Sequence, residues 1–158
     1  IVDRRGQTYA EVWRVPAGAL PQPTPQHAAA ATLGDAVALH GFDLEPAQAE
    51  AGQSLYVTLY WRALAAIPAD YTVFVHLLDE RGNRQGQQDA RPHQGNKPTT
   101  TWLRGEVVRD DITLTVAQGA PPGDYRLTLG MYQLATMQRL PVAGADRDAV
   151  EIGPIIGR

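Results

Sequence analysis

Residues 52–63 read G-Q-S-L-Y-V-T-L-Y-W-R-A, and apolar and polar side chains alternate along them. Leu55, Val57, Leu59 and Trp61 fall on one side, and Tyr56, Thr58, Tyr60 and Arg62 on the other. A period of two marks a β-strand with one face in a core, whereas a helix would space its apolar residues three and four apart. The same rhythm spreads in both directions. Residues 37–44 form a strand that stops at Glu45-Pro46. Residues 71–79, Y-T-V-F-V-H-L-L-D, are apolar on both faces, which suits a central strand. The D-E-R-G-N-R that follows is a hairpin turn in which Gly82 and Asn83 tolerate a positive φ.

Beyond that turn, residues 85–90 make a polar edge strand, and a long loop runs over 91–105. Residues 106–116 form a strand with Ile112, Leu114 and Val116 inward. A Pro-Gly turn at 121–123 feeds another, with Tyr125, Leu127, Leu129 and Met131 inward. Short strands at 139–142 and 149–152 complete the chain. Seven or eight short strands with turns every 8 to 12 residues predict an all-β fold, an antiparallel immunoglobulin- or fibronectin-III-like sandwich spanning residues 36–158. A jelly roll is the main rival. Tyr125, just after P-P-G-D, suits a corner tyrosine whose hydroxyl bonds nearby backbone.

The N-terminal part reads differently. Residues 7–15, Q-T-Y-A-E-V-W-R-V, alternate as a strand or as the tail of a preceding region. Residues 16–35, rich in Pro and Ala, read as a linker. Within it, Thr24 as N-cap, Pro25 at the first helical position and Gly34 bracket a short helix over 28–31.

Bulk properties narrow the function. At 158 residues the chain holds one cored domain plus a tether. A net charge of −3 with scattered basic residues argues against nucleic acid as a partner. No apolar run approaches the ~20 residues that cross a bilayer. Because the chain begins at Ile1, it reads as a piece excised from a longer polypeptide. The absence of cysteine removes disulfides, thiol catalysis and cysteine-zinc sites.

Five ordered motifs carry a family resemblance. They are G-x-x-L-x-V-x-L-x-W-x-A (52–63), Y-T-V-F-V-H-L-L-D-x-x-G (71–82), P-T-x-x-W-x-x-G-E (98–106), P-P-G-x-Y-x-L-x-x-G-x-Y (121–132) and R-L-P-V (139–142). The set resembles the C-terminal β-sandwich domains of bacterial dolichyl-phosphate-mannose-type (family 39-like) membrane glycosyltransferase-like proteins. That resemblance implies a domain on the extracytoplasmic face of the cell membrane, part of a longer anchored chain and in contact with a preceding membrane domain. It brings no catalytic residue, and from the residues themselves no metal or cofactor is expected. The last hairpin departs from the pattern, which would place a glycine near Met137 and an aspartate near Gln133.

Ser54, the sole serine, sits at a strand start with no nucleophile elbow around it. Lys97, the sole lysine, lies in a loop that leaves it wet, unsuited to Schiff-base chemistry. His27, His40, His76 and His93 form no metal-binding spacing, and His76 reads as a strand histidine with a backbone or hydroxyl partner. The calcium-loop likeness of 79–89 fails at Arg81 and lacks the closing Glu. Glu106 and Asp110 share a face about 13 Å apart, too far for a retaining glycosidase pair. Asp110 shares its parity with inward Ile112. Either a bulge re-aims it or an arginine such as Arg109 or Arg126 pairs with it.

The residues with binding potential are aromatic. Tyr56, Tyr60 and Arg62 form an outward stripe able to stack a glycan or polymer ligand, or to pack beneath another element. Trp102, in the loop N-K-P-T-T-T-W-L-R-G-E (96–106), is either a stacking platform or a plug between the sheets. The expectation is a non-enzymatic accessory domain that binds glycan or docks a partner. The alternatives are a structural or adhesive spacer of a surface protein, and an enzyme whose unmarked site centres on Arg109, Asp110 and Asp111.

Overall fold

Ten strands are distributed over two sheets in the computed structural model, which describes residues 22–158. They are β1 (His27–Leu33), β2 (Val37–Glu45), β3 (Gln48–Ala49), β4 (Ser54–Ala63), β5 (Thr72–Leu78), β6 (Arg84–Ala90), β7 (Val107–Thr115), β8 (Gly123–Gln133), β9 (Gln138–Arg139) and β10 (Val150–Gly157). One sheet has the order β1-β2-β4-β7 and the other β3-β10-β8-β5-β6, with β9 on β8. All pairings are antiparallel except β10 with β3. The count exceeds seven or eight because β1 was read as linker and because β3, with two residues, is too short to show a period.

The alternation of β4 explains the sandwich. Leu55, Val57, Leu59 and Trp61 are at most 1% exposed. They face Val73, Val75 and Leu77 of β5 and Leu127, Leu129 and Met131 of β8 in one shared core. Each such side chain contributes about 1.5–3 kcal/mol when fully buried. The two apolar faces of β5 also have a cause. Val73 and Val75 enter the core, while Phe74 points outward and is sealed by Arg139, whose guanidinium carbon lies 4.2 Å from the ring centroid. As the polarity of 85–90 implied, β6 is an edge.

The linker expectation is corrected for its second half. Residues 28–31 form no helix; they lie in β1, which pairs with β2 from His27 opposite Phe42 to Leu33 opposite Val37, with a bulge between Ala28 and Ala31. The sandwich therefore starts at His27 rather than residue 36. Four alanines make barely one helical turn, too little to offset nucleation, while β2 offers a ready ladder for their backbone groups. Leu33 anchors the strand, fully buried in the core. Residues 1–15, with the strand read over 7–15, and the first part of the linker lie outside the described residues.

The two sides of the sandwich close unequally. On the β1 side, Gly34 N–H donates to Pro141 O (2.7 Å) and Ala143 N–H to Thr32 O (2.8 Å). On the other side, β6 and β7 meet at one end only. There Ala117 N–H donates to Gln85 O (2.7 Å), and Gly86 passes so near Thr115 that an added Cβ would lie 2.8 Å from its carbonyl oxygen. Above that point the edges part, and residues 91–105 cover the gap with two 3-10 turns (Pro92–Gly95 and Thr99–Thr101).

Three turns show how sequence became geometry. In the β5–β6 hairpin only Gly82 takes a positive φ (83°), and the Asn83 side chain bonds Asp79. In the β8–β9 turn Met137 adopts φ 59° at the place where the resemblance called for glycine. A left-handed non-glycine residue is disfavoured, and Met137 is held by its N–H bond to Gln133 O (2.8 Å). The Tyr125 hydroxyl donates to Pro121 O, as a corner tyrosine should.

Asp79 ties the β5–β6 hairpin. Its carboxylate accepts from Arg81 N (2.9 Å), Asn83 N (2.8 Å), Asn83 Nδ2 (3.0 Å) and Gln85 Nε2 (3.0 Å). Burial pushes this carboxyl up, but the four bonds outweigh it and hold it below its ordinary 3.8. A depressed acid stabilises the fold above its unfolded value, and that stabilisation is lost as pH falls through the lower folded value. Asp79→Asn should therefore lower stability at about pH 7, with a gap to wild type that narrows as pH drops below about 4. Urea unfolding of both proteins across that range checks it.

Candidate functional site

The outward face of the four-stranded sheet is organised in cross-strand rows. Register places Glu45 and Thr113 on either side of Tyr56, Asp43 and Asp111 beside Thr58, and Gly41 and Arg109 beside Tyr60. The row at Tyr60 is roofed. Because Gly41 has no side chain, Pro25 and His27 cross directly over it; an added Cβ would come 2.6 Å from His27 O. Asp43 fastens this crossing, accepting from Gln26 N (2.6 Å) on one oxygen and from the Tyr60 hydroxyl (2.7 Å) on the other. Tyr60 is left 5% exposed, and burial together with Asp43 pushes its phenol up, so it stays protonated and donates.

Beyond this roof the face opens into a groove of about 380 Å³. Tyr56 stands in it 59% exposed, between Asp43, Glu45, Thr58, Arg109 and Asp111. Asp111 accepts from Thr58 Oγ1 (2.7 Å) and Arg109 Nε (3.0 Å). Burial raises its carboxyl, but those two partners outweigh it and keep it ionised. The groove thus offers an open aromatic face beside carboxylate oxygens whose positions are fixed by other bonds. Such a set accepts hydrogen bonds from a ligand without having to reorganise.

The four aromatic and arginine candidates do not converge. Tyr56 lies in the groove and Tyr60 is covered, so the tyrosine stripe is broken by the incoming chain. Arg62 sits further along, opposite Ala38 and Val107, half-buried with its Nε unpartnered. Trp102 belongs to the core: it is 3% exposed and donates from Nε1 to Lys97 O (3.0 Å). Its loop is pinned beneath it, with Thr99 Oγ1 donating to Ala69 O (2.8 Å) and accepting from Tyr71 N (3.0 Å). Trp102 is a plug. Asp43, Glu45, Arg109 and Asp111 complete the groove, and Asp43 and Glu45 were missed as site residues. Their shared parity in β2 was the available signal, but only the β2–β4 register sets them beside Tyr56.

The carboxylate constellation also resolves. Asp110 keeps its inward parity without a bulge, 3% exposed, since β4 and β7 pair without a break. Its partner is no arginine but the backbone N–H of His93 (2.8 Å). Burial, only partly offset by that bond and by the Trp61 indole N–H beside it, pushes its carboxyl up. His93 (φ 53°) and Gln94 (φ 55°) are both left-handed there. Arg109 and Asp111 face outward, away from Asp110, so the three do not form one site. Lys97 is paired with Glu106 (2.8 Å) rather than free in solvent, and His76 faces a carboxylate, Asp89 (3.6 Å), rather than backbone or a hydroxyl. Among the described residues no group of three or more His, Asp or Glu is arranged to hold a metal ion.

Because Trp102 fills space between the sheets, Trp102→Ala should cost about 3–5 kcal/mol. Trp102→Phe should cost less, losing part of the ring and the bond to Lys97 O. Chemical denaturation of the two variants checks both values.

No family model matches the chain, and neither does any curated protein. Among solved structures, the chain is similar to part of a β-glucuronidase from glycoside hydrolase family 2, with TM-score 0.44 and 10% identity. That match covers 74% of this chain and 11% of the enzyme, so the chain spans a small fraction of that protein's length. It is also similar to a CARDB domain from Pyrococcus furiosus, solved in complex with di-metal ions, with TM-score 0.42 and 11% identity over 81% of this chain and 94% of that one.

Proposed function

We propose that this domain is a non-catalytic accessory module of a membrane glycosyltransferase-like protein, on the extracytoplasmic side, and that it holds a sugar chain in the groove beside Tyr56. The observation that carries the binding half is a 59% exposed tyrosine standing among fixed carboxylates. A sugar ring has an apolar C–H face that packs on an aromatic ring and a rim of hydroxyls that donate to carboxylates. The motifs over residues 52–142 motivate the membrane parent. The groove is open along its length, so a bound chain stays largely solvated and affinity is set near a Kd of about 1 mM, or roughly −4 kcal/mol.

Tyr56→Ala should weaken binding of neutral oligosaccharides about tenfold, the loss of roughly 1–1.5 kcal/mol of stacking. Stability should stay within about 0.5 kcal/mol, because the ring is exposed. Titration followed by NMR, with urea unfolding of the same protein, checks both. No binding of wild type at several times the expected Kd would leave a spacer or docking role. Reading the gene around this chain for apolar segments of about 20 residues tests the membrane parent separately.

A further inference from the structure

We infer that the groove beside Tyr56 selects an amine-bearing sugar chain, seating one ring on the tyrosine with its ammonium against the carboxylates of Glu45 and Asp111. The inference rests on the reading of the groove as a sugar site and names the class of sugar it prefers. Its first support is charge. Asp43, Glu45 and Asp111 line the groove, and Arg109 is the sole lysine or arginine among the described residues that line it. The charge of Arg109 is already engaged, because its Nε bonds Asp111 Oδ1 at 3.0 Å. Negative charge is therefore in excess along the groove.

The second support is where those carboxylates stand. Register puts Glu45 directly across from Tyr56, with Asp43 and Asp111 on its diagonals, one on either side of Thr58. Direct cross-strand neighbours lie about 4.5–5.5 Å apart and diagonal ones about 7–8 Å, so a group resting on the Tyr56 ring is within a side chain's reach of each. Oxygens are also left over. Thr58 Oγ1 and Arg109 Nε both donate to Oδ1 of Asp111, so neither occupies Oδ2. Among the described residues no lysine, arginine or histidine forms an ion pair with Glu45.

These features constrain the ligand. An ammonium is attracted to the face of an aromatic ring and donates charge-assisted hydrogen bonds to carboxylates. A phosphate or a uronate meets repulsion from the same three groups. A neutral hydroxyl donates one bond and draws nothing from the excess charge, so a plain sugar binds more weakly than one with an amine. An amino sugar carries its nitrogen on the ring that stacks, and one immobilised ring makes both contacts. A lysine side chain holds its nitrogen at the end of a flexible stem whose rotamers have to be frozen, and it brings no flat C–H face. That favours the sugar over a basic peptide.

The test uses the whole 158-residue chain at about pH 6, where carboxylates are ionised and amines protonated. The probes are chitotetraose, its fully deacetylated amine form and tetralysine, each titrated against the Tyr56 ring signal in NMR, assigned with Tyr56→Phe. The amine tetramer should bind about tenfold tighter than the N-acetyl one, and the gap should shrink as salt is raised. Glu45→Gln should cut the gap to about threefold, and adding Asp111→Asn should close it to about twofold or less. The Kd of the N-acetyl tetramer should hold in both variants, which shows that the groove is intact. Equal affinity of the two tetramers for wild type overturns the charge selection and leaves the groove standing. No binding of either at about 10 mM, well above a Kd of about 1 mM, overturns both readings. Tetralysine as tight as the amine tetramer overturns the sugar as carrier of the ammonium. An amine preference that survives in the double variant overturns its assignment to these carboxylates.

Discussion

The two-residue period of β4 is the constraint on which the other features hang. β4 pairs with β2 on one side and β7 on the other, so its register fixes three of the four strands of its sheet. Inward it delivers Leu55, Val57, Leu59 and Trp61 to the core; outward it delivers Tyr56, Thr58, Tyr60 and Arg62. A slip of one residue would exchange the two sets, exposing four large apolar side chains and burying a guanidinium. The core therefore holds the groove in register: the site needs no separate device to keep Tyr56 facing out.

What that face can do is decided by the chain crossing it. Asp43 is bound at once to Gln26 N–H and to the Tyr60 hydroxyl, which couples the entry of the chain into β1 to the floor beneath it. Gly41 makes the crossing possible because any side chain there would strike Pro25. The result is one tyrosine sealed and one open on the same strand, four residues apart. A face with both rings exposed would have been a flat aromatic patch; with one roofed, it becomes a groove with a wall.

The open side of the sandwich follows a different logic. β6 and β7 touch only near Gly86 and then diverge, and one end of the loop over the gap is held by a buried carboxylate. An inward Asp110 without a cation is costly in a core, since burial disfavours its charged form. It sits where the sheet has an edge rather than at its centre, so the carboxylate lies within reach of the cleft. Trp102, at the other end of the same loop, does the opposite job and closes the core with a large ring and a satisfied N–H.

Much of the strand framework was legible in the residues. Alternation in β4, β7 and β8, two-sided burial of β5, the polar edge at β6, the turn at Gly82 and the corner role of Tyr125 all depend on neighbours in the chain, and period and turn chemistry report them directly. β1 was misread because four alanines carry no period and prefer a helix in isolation; its strand exists only because β2 lies alongside. Of the residues lining the candidate groove, the sequence reading of ligand-binding aromatics included one, Tyr56. Tyr60 and Trp102 have the same surface potential in sequence, yet one lies under Pro25–His27 and the other between two sheets. Which side chains share a face can be read from the residues alone, because it follows from a two-residue repeat along one strand. Which of them meet solvent is set by packing, because exposure depends on register with β2 and β7 and on segments that cross from far along the chain.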